Sequence, residues 1–83
     1  MADIKLYGAD WCPDTKHTRA FLEQQRVAYD YVNIDDDRTA AKWVMEHNNG
    51  KEKKPTLDVK GLVLTAPSDA QLTEALRSQR IVS

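Results

Sequence analysis

With one cysteine, Cys12, in 83 residues, this chain can close no internal disulfide and build no zinc site from several cysteines. It must therefore fold on hydrophobic burial alone, close to the lower size at which one core suffices, and residues 1–83 are expected to form a single domain. The cysteine follows the apolar run Ile4 to Tyr7 and precedes a helical pattern that opens at Pro13. At that junction Cys12 is the expected helix N-cap. It would face backbone N–H groups that have no intrahelical partner and the positive end of the helix dipole, both of which favour thiolate over thiol. Pro13 suits the first helical position, where its missing N–H is not needed. The carboxylates of Asp10 and Asp14 act the other way by like-charge repulsion. Cys12 is expected to be exposed, with a pKa below that of a free cysteine. The plain alternative for a lone cysteine is a small, inert core residue.

Strand and helix patterns alternate along the rest of the chain. A helix is expected from Pro13 to about Arg26, with Thr18, Phe21, Leu22 and Gln25 on one side. A strand rich in aromatic and β-branched residues follows from Ala28 to Ile34. Asp35-Asp36-Asp37 supplies cap candidates for a helix from about Arg38 to Asn48, where Ala40, Ala41, Val44, Met45 and Asn48 keep helical spacing until Asn49-Gly50 stops it. Past the charged loop Lys51 to Lys54, Pro55 opens a strand to Val59, Lys60-Gly61 makes a tight turn, and Leu62 to Thr65 returns as a hairpin partner. Ser68 and Gln71 form a capping-box pattern ahead of a last helix carrying Leu72, Ala75, Leu76 and Gln79. The order β-α-β-α-β-β-α predicts an α/β fold: a four-stranded mixed sheet with two parallel strands, an antiparallel hairpin and helices on both faces.

A formal net charge of −1 gives no drive toward nucleic acid or anionic membranes. No N-terminal apolar run reads as a signal peptide and no stretch approaches a membrane span, so a cytoplasmic monomer meeting a protein or small molecule is the expectation. His17 and His47 lie too far apart to suggest a local ligand pair, and no metal site is expected.

The element order, with Trp11-Cys12-Pro13-Asp14-Thr15 at the first strand-to-helix junction, resembles the thioredoxin fold in its glutaredoxin form. Two more motifs carry the likeness: Lys54-Pro55-Thr56 at the place of the cis-proline loop, and Thr65-Ala66-Pro67-Ser68 ahead of the last helix. The latter is similar to the Thr-Asn-Pro-Ser run of the short mycoredoxins. Two departures matter. Thr15 stands where the family usually has a resolving cysteine, and Lys53-Lys54-Pro55 stands for the usual Thr-Val-Pro.

The resemblance implies a monothiol thiol–disulfide oxidoreductase. Cys12 would attack a mixed disulfide between a protein and a low-molecular-weight thiol, glutathione or another, and be freed when a second small thiol attacks the Cys12 sulfur. No bound cofactor is implied beyond that co-substrate. Thr15 would donate its hydroxyl to the thiolate, and Lys54, expected opposite the cysteine, would stabilise the charge and attract an anionic thiol; a solvated loop is the plain reading of the same lysines. Pro55 would orient the substrate backbone, and Trp11 and Pro13 would border the partner surface. Thr65, Ser68 and Asp69 would hold the small thiol at a helix N-terminus. Two other classes stay open: a redox-inactive protein-binding module using the surface around Trp11, and a [2Fe–2S] carrier, whose monothiol examples have Cys-Gly-Phe-Ser where this chain has Cys-Pro-Asp-Thr.

Overall fold

The structure, a computed structural model, describes residues 2–81. Its elements are β1 (Ile4–Gly8), α1 (Pro13–Gln24), β2 (Asp30–Asn33), α2 (Arg38–Glu46), β3 (Thr56–Val59), β4 (Leu62–Thr65) and α3 (Asp69–Ser78), in the order the sequence predicts. The sheet runs β2-β1-β3-β4, with β1 parallel to β2 and antiparallel to β3, and β3 antiparallel to β4. β1 and β3 are thus central.

Strand alternation sorts the core into two layers. Ile4 and Leu6 lie opposite Val59 and Leu57 in the register, and these four pack with Leu22 of α1 and with Leu72 and Leu76 of α3. Tyr7 points to the other face and packs with Ile34 and with Ala41 and Val44 of α2. Helices α1 and α3 therefore cover one side of the sheet and α2 the other. Each fully buried leucine, isoleucine or valine in these layers contributes roughly 1.5–3 kcal/mol through removal of apolar surface from water.

Element ends differ from expectation for local reasons. α1 stops two residues early because Arg26 turns to a left-handed φ of 56° and the Val27 N–H bonds to the Leu22 carbonyl at 3.1 Å. Gln25, expected on the packed side, is consequently exposed. α2 begins under the last of its three cap candidates, the Asp37 carboxylate accepting from the Ala40 N–H at 3.0 Å, but ends at Glu46 and leaves Asn48 beyond the helix. Trp43, absent from the predicted face of α2, stacks on Tyr7 with ring centroids 4.6 Å apart and joins the second layer. Lys60 and Gly61 turn the hairpin with φ of 51° and 92°, the paired positive values that match the twist of the flanking strands.

The last residue of β1 is a glycine for a steric reason. A Cβ on Gly8 would stand 2.5 Å from Thr15 Cγ2 and 2.6 Å from Thr15 Oγ1, so β1 and the first turn of α1 approach as closely as they do only without that carbon. Gly8→Ala is expected to destabilise the fold by about 1–3 kcal/mol, as overpacking does. Introducing it into Thr15→Ala should recover most of the loss; urea denaturation of the two single variants and the double variant checks both statements.

Candidate active site

Cys12 N-caps α1, with φ −78° and ψ 118°, and Pro13 follows in the first turn, as the sequence predicts. The cap is made by its carbonyl, which accepts from the Lys16 N–H at 3.1 Å, while the sulfur makes no cap hydrogen bond as a thiol. The expectation that Cys12 is exposed is corrected: it is 8 % exposed. Burial and the Asp14 carboxylate push the thiol up. Hydrogen bonds open to the thiolate, from the Thr15 hydroxyl and from the Thr15 and Asp14 backbone N–H groups, outweigh them and leave its pKa lowered. Thr15 is fully buried, and its Oγ1 lies 3.5 Å from the Ala9 N–H, which it can accept while its own proton turns to the sulfur.

Lys54 lies against Trp11. Its ammonium lies 5.1 Å from the centre of the Trp11 ring, over the indole face, and 3.5 Å from the Glu52 carbonyl. The groups that favour the thiolate are the Thr15 hydroxyl, first, and the backbone N–H groups of Thr15 and Asp14 at the helix start. Trp11 is 63 % exposed, and its indole N–H donates to Asp35 Oδ2 at 2.8 Å, a contact across 24 residues. Asp10, expected to oppose the thiolate, accepts from the Tyr31 hydroxyl at 2.7 Å; burial, with this carboxylate second, pushes Tyr31 up to about 12.

A cleft of about 150 Å³ runs beside the helix start, lined by Asp14, His17, Thr18, Pro55, Ala66 and Pro67. It brings the α1 turn that carries the cysteine against the loop before β3 and the loop after β4. The Lys54–Pro55 peptide bond is cis, and Pro55 is buried. The Ala66 N–H donates to the Pro55 carbonyl at 2.7 Å, joining the two loops that form one wall of the cleft. Thr65 is exposed and donates its hydroxyl to Asn48 Oδ1 at 2.6 Å. Ser68 forms the predicted capping box: its Oγ accepts from the Gln71 N–H at 3.1 Å and its own N–H donates to Gln71 Oε1 at 2.9 Å. Its backbone donor is therefore occupied, and its hydroxyl proton is what remains for a ligand.

Two residues of this region escaped the sequence reading. His17 Nε2 lies 2.9 Å from Asp69 Oδ1, so the histidine bridges α1 to the start of α3 and engages the carboxylate expected to meet a small thiol. Its place one turn past Pro13 was the available signal, but a contact 52 residues long is not readable from spacing. Asn48 is the other. Among the described residues no group of three or more His, Cys, Asp or Glu side chains is arranged to hold a metal, and no helix is long and apolar enough to cross a membrane.

A thiol at the N-cap of the first helix, beside a cis-proline loop on a β2-β1-β3-β4 sheet, defines a protein of the thioredoxin fold. Solved structures agree on the fold. The glutaredoxin of Archaeoglobus fulgidus matches 93% of this chain and 88% of its own at TM-score 0.80 and 23% identity. The thioredoxin-like protein BC3987 matches 88% of this chain and 99% of its own at TM-score 0.78 and 23% identity. In sequence, mycoredoxin 1 of Corynebacterium glutamicum is 33% identical over 57 residues, 69% of this chain and 70% of that protein. The glutaredoxin family model matches residues 4–64, and the chain belongs to the glutaredoxin family, whose members are generally thiol–disulfide oxidoreductases.

The balance at Cys12 has a measurable consequence. Thiolate is the form that alkylates, so the iodoacetamide rate should rise with pH through a midpoint below the free-cysteine value of about 8.5. Thr15→Val, which keeps the volume and removes the donor, should move the midpoint up; Asp14→Asn, which removes the repelling charge, should move it down. A midpoint at or above the free value in the unsubstituted protein contradicts this account of the site.

Proposed function

We propose that this protein is a monothiol glutaredoxin-type oxidoreductase that reduces mixed disulfides between proteins and a low-molecular-weight thiol, glutathione or another, as a cytoplasmic monomer with no bound cofactor. The observation that carries the proposal is a helix-capping thiol with a lowered pKa beside a cleft walled by Pro55, Ala66 and Pro67. In the first step the Cys12 thiolate attacks the small-thiol sulfur of the mixed disulfide. The old S–S bond breaks, its electron pair leaves on the protein sulfur, which takes a proton from solvent, and Cys12 becomes bonded to the small thiol.

The second step differs from the one the family resemblance implies, because the electrons must balance. Attack on the Cys12 sulfur would only exchange one small thiol for another. The second small thiolate must strike the bound thiol's sulfur, so that Cys12 leaves as thiolate and the two small thiols depart as their disulfide. One cysteine is enough for the cycle. Low exposure of Cys12 suits this order, since a short thiol entering the cleft reaches a recessed sulfur more easily than a folded protein does.

The remaining residues take roles around that reaction. Thr15 stabilises the thiolate, both at the start and as it leaves. Pro55 orients the substrate backbone. Trp11, Pro13 and Lys54 meet the protein from which the thiol is removed. Thr65, the Ser68 hydroxyl and Asp69 hold the small thiol, with His17 setting how much of the Asp69 charge is available.

Steady-state turnover of a glutathionylated peptide, with excess small thiol and a coupled readout of the small-thiol disulfide, tests the proposal. The unsubstituted protein should turn over and Cys12→Ser should not. Activity that persists in Cys12→Ser, or none in either protein with any small thiol supplied, contradicts it; the second result favours a binding module built on the exposed Trp11.

A further inference from the structure

Asn48 is placed just past the end of α2, half-buried, and does not line the cleft. Its amide makes contacts in three directions. Nδ2 donates to the Val44 carbonyl at 2.8 Å and to Thr56 Oγ1 at 3.3 Å, and Oδ1 accepts from the Thr65 hydroxyl at 2.6 Å. A carbonyl can only accept, so the Val44 bond fixes which end of the amide is nitrogen and hence which is oxygen. Thr56 in turn donates to the Lys53 carbonyl at 2.9 Å. Every proton in this chain of contacts has one direction.

The contacts divide by destination. The bond to Val44 satisfies a carbonyl in the last turn of α2, a need any helix end has. The other two leave α2. One reaches, through Thr56, the segment Lys53 to Pro55, and the other reaches Thr65, next to Ala66 and Pro67. Pro55, Ala66 and Pro67 are the wall of the cleft that faces the helix start of Cys12. The Ala66–Pro55 backbone bond joins the two loops to each other, and Asn48 fixes the joined pair to α2.

We propose that Asn48 is a positioning residue for thiol transfer: Thr56 and Thr65 are already paired across β3 and β4, and through them Asn48 anchors the joined loops of the substrate cleft to α2 in the position the small thiol requires, without touching the reacting sulfurs. This rests on the thiol-transfer reading of the site. Asp14, His17 and Thr18 of α1 line the facing side, and neither Cys12 nor Thr15 is hydrogen-bonded to Asn48, so the chemical step and the thiolate are independent of it while substrate binding is not.

The test is turnover of a glutathionylated peptide by Asn48→Ala and Asn48→Asp beside the unsubstituted protein. Asn48→Ala loses both ties and should raise KM on the order of tenfold, the size expected for two modest hydrogen bonds. Asn48→Asp keeps an acceptor for Thr65 but loses the donor to Thr56, and should raise KM by a smaller factor. In both, kcat and the Cys12 alkylation midpoint should stay as in the unsubstituted protein. If Asn48→Ala fails to fold, Asn48→Asp decides. Unchanged KM in a folded variant, or a fall in kcat and thermal stability without a change in KM, overturns the proposal and leaves Asn48 as a helix-end residue. Absence of turnover in the unsubstituted protein overturns the thiol-transfer reading and this inference with it, whereas normal turnover there with unaltered variants overturns this inference alone.

Discussion

The close packing of Thr15 on Gly8 is the contact from which the rest of the site follows. Gly8 ends the central strand β1 and Thr15 lies in the first turn of α1, and nothing larger than hydrogen fits on the glycine between them. That approach sets the angle at which α1 leaves the sheet, and so where Cys12 and the free N–H groups of the helix start are held. It also buries Thr15 completely, which gives its hydroxyl few partners other than the Ala9 N–H and the Cys12 sulfur. A residue chosen for packing thereby becomes the principal donor to the thiolate. Where the family usually has a second sulfur at this position, this chain has a hydroxyl that can stabilise charge but cannot resolve a disulfide.

The second half of the site is built by a different kind of interaction. The loops before β3 and after β4 are held to each other by the end of the β3–β4 ladder, where Thr56 and Thr65 lie opposite, and by the Ala66–Pro55 backbone bond, and polar contacts from Asn48 tie them to α2. One wall is therefore fixed by steric contact in the core and the other by directed hydrogen bonds. The walls are bridged by the His17–Asp69 contact between α1 and α3. Both groups are more than half exposed, so it adds little to stability in the way surface pairs generally do, and its importance is geometric.

Features whose causes are local in the chain were legible in the sequence. The β-α-β-α-β-β-α order followed from apolar periodicity and turn chemistry, and the caps at Cys12, Asp37 and Ser68 stand where the residue types placed them. Helix ends were less legible, because Arg26 takes a left-handed conformation with no glycine to announce it. The site was read only as far as its motifs reach. Lys54, expected opposite the cysteine, also lies over the ring of Trp11, 43 residues away in sequence. The burial of Cys12, the pairing of His17 with Asp69 and the three-way ties of Asn48 all depend on segments that meet only when the sheet has formed. Spacing along the chain carries no record of such meetings.

In the proposed cycle Cys12 takes the small thiol, not the protein, from a mixed disulfide. One turnover of the protein with a glutathionylated peptide and no free thiol, quenched in acid and read by intact mass, tests it most directly. The account expects Cys12 bearing one small thiol together with an equal amount of free peptide thiol. Cys12 bearing the peptide, or remaining unmodified while the peptide keeps its small thiol, would contradict it.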